Sequence, residues 1–454
     1  MKAQKNNSDY LLAGNSVPAW LVALSAVSTN NSGFMFIGQI GFTYQFGLSS
    51  IWLMIGWITG DFLASMLIHK KIRTKSEENN ILSFGGVIAN WYGENHKTIR
   101  VVVGLITIVF LGTYAGAQFK AGSKALHVLF GWDYSTGAII GAVIVFLYCM
   151  AGGIRASIWT DAAQSFVMIG AMFILFVYAL AEIGGFQDFY QALKTATPTY
   201  MNWFPEDVGA RGWYGPIMFV FGWFMAGFGV TGQPHVMIRF MTLDDAENMK
   251  KMRFYYYTWF ISFYILAIGA GLAARCLIPA ESFDPELALP MLSKTLLPDV
   301  LVGLMLAGIF AATMSTADSQ ILSCSAALTR DLLPPKWVSY LITKLGTVIV
   351  TIGALIIALY GPESVFQLVL ISWSFLASAF SPILVLYAFK VRINKRTLLT
   401  MMTLSVAVCL YWRNSPYADV VYEVAPGVVT GLVVFFIMDK LGFNKLARLI
   451  DDKN

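Results

Sequence analysis

The chain has 454 residues, of which 57% are hydrophobic and only 13% charged, against roughly a quarter charged in ordinary soluble domains. At roughly 20 apolar residues per membrane helix, a dozen spans use about 240 residues and leave only loops, which excludes a membrane-anchored enzyme with a large aqueous head. The formal charge of +5 would fit a nucleic-acid partner in a soluble protein, but in a polytopic membrane protein basic residues first mark cytoplasmic loops.

Apolar runs set against turn and charge punctuation predict twelve helices, at 17–44, 47–68, 99–128, 135–154, 156–183, 213–237, 254–278, 299–328, 338–360, 365–389, 397–412 and 420–438. Residues 81–92 read as a short interfacial helix, and the long loop 186–213, with Pro198 and Pro205, as a cover over one face. Residues 1–14 are polar and basic and lack the apolar core of a signal peptide. Cys149, Cys276, Cys324 and Cys409 stand singly in apolar runs, so neither a disulfide framework nor a CxxC metal site follows.

With the N-terminus inside, 24 of the 31 Lys and Arg fall on cytoplasmic loops. Only Lys194, Arg211, Arg275, Lys294 and Arg413 fall outside, and Lys120 and Lys124 lie within a span. This bias places both termini in the cytoplasm of a cell whose plasma (inner) membrane the chain crosses repeatedly.

Three spans depart from ordinary membrane helix. The first carries the polar run Ser25-Ala26-Val27-Ser28-Thr29-Asn30-Asn31-Ser32-Gly33, which is tolerated at mid-membrane where the helix unwinds to line a cavity. The sixth carries Gly227-Phe228-Gly229-Val230-Thr231-Gly232-Gln233-Pro234-His235, three glycines and a proline that removes a backbone donor. Kinks and close-packing glycines would explain either helix alone. Two breaks at the first and sixth positions instead mark two five-helix repeats, the second entering the membrane from the opposite side, with the binding site between them.

The eighth span places Ser315, Asp318 and Ser319 on one helix face beside Thr316. Hydroxyl and carboxylate oxygens so grouped suit a small hard cation, although Ser and Thr also bond helix to helix. A carboxylate within a span is a functional hypothesis by default. Asp161 has the simpler alternative of pairing with Arg155, Asp61 of being solvated near the cytoplasmic end, Lys120 of snorkelling to the outer surface, and His235 of a structural hydrogen bond.

Four motifs together resemble the sodium/solute symporter family, most closely its sodium/proline symporter branch. They are Leu24-Ser25-Ala26 with Ser32-Gly33; Gly152-Gly153 with Trp159-Thr160-Asp161-Ala162-Ala163-Gln164; Gly232-Gln233-Pro234-His235 with Arg239-Phe240-Met241; and Ala311-Ala312-Thr313-Met314-Ser315-Thr316 with Gln320. The resemblance implies a LeuT-type fold of inverted five-helix repeats, ten core helices and two C-terminal ones. The corresponding division is an N-terminal segment 1–16, a first repeat 17–184, an extracellular loop 185–212, a second repeat 213–390, two added helices in 391–441 and a cytoplasmic tail 442–454.

It also implies sodium-driven uptake of a small organic solute. A first sodium site would use the carbonyls of Ser28, Asn31 and Ala312 and the hydroxyls of Ser315 and Thr316; a second would draw on Asp161, Ser315, Asp318 and Ser319. Solute would meet Asn30 and Ser32 at the first break, Gly227, Val230, Thr231 and Gln233 at the second, and Tyr114 and Gln118 on the third span. Three departures stand out. Asn30 replaces an acidic residue of proline carriers, Ala226 and Val230 replace aromatics, and the helix that usually precedes the family's core is missing, as expected either of a shortened member or of a start placed late. Proline or a similar amino acid is the first-choice solute, ahead of pantothenate, another carboxylate or a sugar. A proton-coupled carrier and a membrane solute sensor are the rival classes; an enzyme, an organic cofactor and a nucleic-acid partner are not expected.

Overall fold

A computed structural model describes residues 7–94, 96–278 and 283–444. Twelve long helical segments follow one another. They are α1 (19–46), α2 (51–78), α3 (97–130), α4 (Tyr134–Met150), α5 (Gly153–Ile183), α6 (214–241), α7 (Met249–Leu277), α8 (Asp299–Leu332), α9 (Tyr340–Tyr360), α10 (Val365–Ala388), α11 (Lys395–Arg413) and α12 (Val424–Lys440). Among the described residues, eight helical stretches are long and apolar enough to cross a membrane, the first of them containing both α1 and α2. The twelve expected helices are therefore all present, in the expected order.

Most boundaries have a local cause. Gly131, in the left-handed region (φ 69°), ends α3 as such caps commonly do. α4 and α5 are one rod broken at Gly153, whose φ of 58° and ψ of −154° no side chain adopts readily. A Cβ there would lie 2.5 Å from the Tyr10 ring. Single π turns interrupt α1 at Phe34–Gln39, α2 at Ser65–His69 and α3 at Thr107–Leu111, and another ends α8 at Ala327–Leu332, a feature frequent at functional sites.

The extramembrane pieces are more ordered than the sequence reading allowed. The expected interfacial helix is Phe84–Ala89, its first turn capped by Ser83. The loop 186–213 contains the helix Phe186–Ala196, because Phe189 and Leu193 share a buried face. The loop still covers the bundle: Trp52 donates to the Trp203 carbonyl at 2.8 Å and Tyr200 to the Thr43 carbonyl at 3.0 Å. A second cover, Pro285–Leu287 and Ala288–Leu296, is pinned by Glu286, which accepts from the backbone of Val365 and Phe366 at the start of α10.

Val17 exchanges backbone hydrogen bonds with Thr242 and Asp244 at 3.1 and 2.9 Å. That tie joins the entry of α1 to the exit of α6, the two helices the sequence marked as broken.

Candidate functional site

In α1 the polar run 25–31 stays helical, and the break is confined to Ser32, at φ 53° and ψ −179°. Such a conformation costs about 1–3 kcal/mol and is held by its neighbours. Ser32 Oγ accepts from Phe34 N at 3.1 Å and bonds Tyr114 Oη at 3.1 Å, while Gly33 N donates to Gln118 Oε1 at 2.8 Å. The expectation of unwinding across 25–33 is thus too broad, because residues before the break are tied laterally into α8 and need no unwinding.

In α6 the break is a 3-10 turn at Gly229–Gly232 followed by extended Gln233 (φ −97°, ψ 101°) and Pro234. It is wedged between α2 and α10. A Cβ on Gly227 would fall 2.0 Å from the Trp57 carbonyl, and one on Gly232 2.6 Å from the Leu376 carbonyl. Thr231 donates to Ser381 Oγ at 2.8 Å and Gln233 to the Trp373 carbonyl at 3.1 Å; Val230 is fully buried. The aromatic wall comes from elsewhere: Trp373 donates to the Ala226 carbonyl at 2.8 Å and packs on Trp57 at 4.8 Å.

α1 and α8 face each other through oxygen. Ser28 Oγ and Ser315 Oγ are 2.9 Å apart, Thr29 Oγ1 and Ser319 Oγ 3.1 Å, Thr316 donates to the Thr29 carbonyl at 3.0 Å, and Ser315 to the Ala312 carbonyl at 3.3 Å. Asn31 spends its amide N–H on the Val27 carbonyl at 2.7 Å, leaving Oδ1 buried without a partner. These donors are uncharged, buried oxygens on two facing helices, a set that fits a hard monovalent cation. Thr29, missed by the sequence reading, sits at the centre of it.

Two of the intramembrane carboxylates, Asp161 and Asp318, meet around a third residue. Arg239 Nη2 lies 3.1 Å from Asp161 Oδ2 and 3.7 Å from Asp318 Oδ1, and it donates to Ser157 Oγ at 2.5 Å and to Ser319 Oγ. Ser25 adds a hydrogen bond to Asp161 at 2.6 Å. Asp161, Ser315, Asp318 and Ser319 do gather, then, but about a guanidinium. Arg239, counted in the cytoplasmic collar from sequence, is fully buried. The Asp161–Arg155 alternative gives way to this pair, Arg155 donating instead to the Ala13 carbonyl at 2.5 Å.

Asp61 is likewise fully buried rather than solvated. It accepts from Tyr256 and Tyr257 at 2.8 Å each and from Asn30 Nδ2 at 3.1 Å. The carboxylate missing at Asn30 is therefore supplied one hydrogen bond away, from α2. Asp61→Asn should cut sodium-driven uptake in proteoliposomes at least ~10-fold, the loss of a charge-assisted hydrogen-bond set, and adding Asn30→Asp should restore much of it; a double variant no better than the single one would contradict the relocation. His235 makes no hydrogen bond with either ring nitrogen and packs edge-on against Tyr114 at 5.5 Å, so its expected hydrogen-bonding role is not realised. Lys120 reaches away from the breaks to the Gly361 carbonyl at 3.1 Å, and Lys124 pairs with Asp284 and Glu286 at 2.5 and 2.6 Å.

Beyond geometry, the sequence matches the sodium:solute symporter family over residues 10–404. The chain belongs to the sodium:solute symporter family. As a member it is a multi-pass membrane transporter that couples solute movement to sodium, and not an enzyme. The high-affinity proline transporter PutP of Bacillus subtilis is 28% identical over 448 residues, 96% of this chain and 93% of that protein. A sodium/proline symporter of Staphylococcus aureus is 28% identical over 461 residues, 97% of this chain and 88% of that protein. Among solved structures, a substrate-bound, outward-open sodium-coupled sialic acid symporter superposes with TM-score 0.81 at 19% identity, covering 96% of this chain and 92% of that one. Mhp1, a nucleobase-cation-symport-1 family transporter in a closed conformation, superposes with TM-score 0.65 at 15% identity, covering 95% and 94%. The LeuT-like fold expected from the sequence is the fold of this symporter.

Proposed function

We propose that the symporter imports a small zwitterion, proline or a close amino-acid analogue, by alternating access. The observation that carries this reading is the set of buried polar atoms left without a partner around the two breaks: Asn30 Oδ1, Gln118 Nε2 and Gln233 Oε1. An unsatisfied buried group costs about 1–3 kcal/mol, which a bound solute recovers. Gln118 Nε2 and the backbone amides at the breaks suit a carboxylate; Asn30 Oδ1 and Gln233 Oε1 suit an ammonium. The two relatives named for proline support the same solute.

Sodium at Ser28, Asn31, Ala312, Ser315 and Thr316 would draw α1 against α8 and set the Ser32 turn that meets solute. Asn30, Ser32, Tyr114, Gln118, Thr231 and Gln233 are all buried, so solute reaches them only when helices of one group rock against the rest. Each sodium entering a cell contributes about 2.3 kcal/mol per 100 mV of membrane potential. A second sodium at Asp161, Ser315, Asp318 and Ser319 requires Arg239 to withdraw, because ion and guanidinium claim the same oxygens. The excess of basic residues on one set of loops supports a cytoplasmic position for those loops and for both termini.

A thermal-shift screen of the purified protein tests the solute. Proline or a near analogue should raise the unfolding midpoint in sodium and not in potassium. A sodium-dependent shift with pantothenate or a sugar, and none with amino acids, would replace the zwitterion reading.

A further inference from the structure

A pocket of about 540 Å³ opens where the C-terminal end of α2, the loop after Phe84–Ala89 and the end of α10 meet. Its lining includes Lys70, Lys71, Lys75, Lys390 and Arg392 and, among the described residues, no carboxylate. Glu247 and Glu78 reach Lys70 and Lys75 at 2.5 and 2.6 Å, and Lys71 and Lys390 add two further cations to the lining, so the pocket keeps an excess of positive charge. A pocket of similar size, about 510 Å³, at Lys120 and Lys124 is lined by Asp284 and Glu363 as well. Cavity size alone therefore does not bring the charge excess.

The basic pocket is built rather than a chance gathering of surface lysines. Tyr387 stacks on Trp91 at 5.2 Å and donates to the Ile88 carbonyl at 3.1 Å, fixing the wall. The guanidinium carbon of Arg392 lies over the Tyr92 ring, 5.1 Å from its centroid. Lys71 is held by the Ala388 carbonyl at 2.6 Å. Lys390 closes α10 in the left-handed region, φ 60°, with Val391 N bonded to the Leu386 carbonyl at 2.9 Å. Glycine is the unstrained choice at such a cap, yet a lysine stands there and lines the pocket. Beside these cations Phe389 is 63% exposed, its ring centroid 6.0 Å from Lys71 Nζ.

We propose that this pocket binds the phosphate of an anionic phospholipid headgroup in the leaflet that meets the basic loops, with the exposed Phe389 lying along the acyl side. The assignment of leaflet rests on the cytoplasmic placement of those loops given above. Juxtamembrane cations attract anionic lipid, and an apolar ring beside the charges is of use to a lipid and not to free phosphate.

The test compares the full chain in vesicles of phosphatidylcholine with vesicles containing phosphatidylglycerol, reading retained phosphatidylglycerol and the unfolding midpoint. Inorganic phosphate and glycerol phosphate are added in parallel. The triple variant Lys71→Gln, Lys390→Gln, Arg392→Gln should weaken phosphatidylglycerol retention about fivefold per charge, or about a hundredfold in all. The control Lys250→Gln, Lys251→Gln, Lys336→Gln removes the same charge elsewhere and should retain the lipid. Lys390→Gly separates binding from folding: it relieves the left-handed backbone, so stability in phosphatidylcholine should hold or rise while phosphatidylglycerol retention falls. Equal losses in the triple variant and the control would overturn the site, as would full retention by Lys390→Gly and the triple variant. Displacement of the lipid by inorganic phosphate would reassign the pocket to a soluble anion. None of these readouts uses transport, so failure here leaves the solute assignment standing.

Discussion

Arg239→Gln should destabilise the folded symporter by about 3–5 kcal/mol, the cost of leaving buried charge without its partner. Two carboxylates, Asp161 and Asp318, face this one guanidinium at 3.1 and 3.7 Å inside the membrane, and both side chains are fully or almost fully enclosed. Adding Asp161→Asn and Asp318→Asn to Arg239→Gln should recover most of the loss, since neutral amides can share the Ser157 and Ser319 hydroxyls. Unfolding midpoints of the single and triple variants in one detergent, converted to free energies, measure this. A single variant as stable as the parent would show that the carboxylates find another partner.

The second large effect falls on the ion. Ser315→Ala and Thr316→Ala each remove a hydroxyl from the α1–α8 oxygen cluster, where Ser315 lies 2.9 Å from Ser28 Oγ and Thr316 bonds the Thr29 carbonyl at 3.0 Å. A hydrogen bond or ligand contact to a charged group is worth about 1.5–3 kcal/mol, so the half-saturating sodium concentration should rise roughly 10- to 100-fold for each. Solute affinity in saturating sodium should move no more than ~3-fold, because the solute-facing atoms near the breaks are untouched. Sodium titrations of uptake, with and without saturating solute, separate the two. Unchanged sodium dependence in both variants would remove the site.

Helix number and order were readable from the sequence because a membrane imposes a length on every span and polarity on every loop. The two breaks were readable for the same reason: polar runs and glycine–proline clusters have no place in ordinary lipid-facing helix. Their extent was not. Ser28 and Thr29 look like unwound chain in a one-dimensional reading, yet their hydroxyls are spent on Ser315 and Ser319 across the helix interface.

Lateral partners account for the other differences. Arg239 sits eight residues or fewer beyond the second break, within Pro234–Met241, and read as a loop cation. The signal that could have placed it was the pair Asp161 and Asp318, two carboxylates within spans that demand a counter-charge. Asp61 read as solvated because its partners Tyr256 and Tyr257 come from α7, about two hundred residues away in the chain. Asn30 lost a charge by sequence and regains one through space.

Uptake by proteoliposomes tests the central claim most directly. Purified symporter is reconstituted, and labelled proline accumulation is measured under an inward sodium gradient, then under a potassium gradient with the same membrane potential and with an imposed proton gradient. Accumulation above equilibrium only with sodium, abolished by a sodium ionophore, is the predicted result. Equal accumulation with potassium and a proton gradient would contradict sodium coupling through the oxygens of α1 and α8.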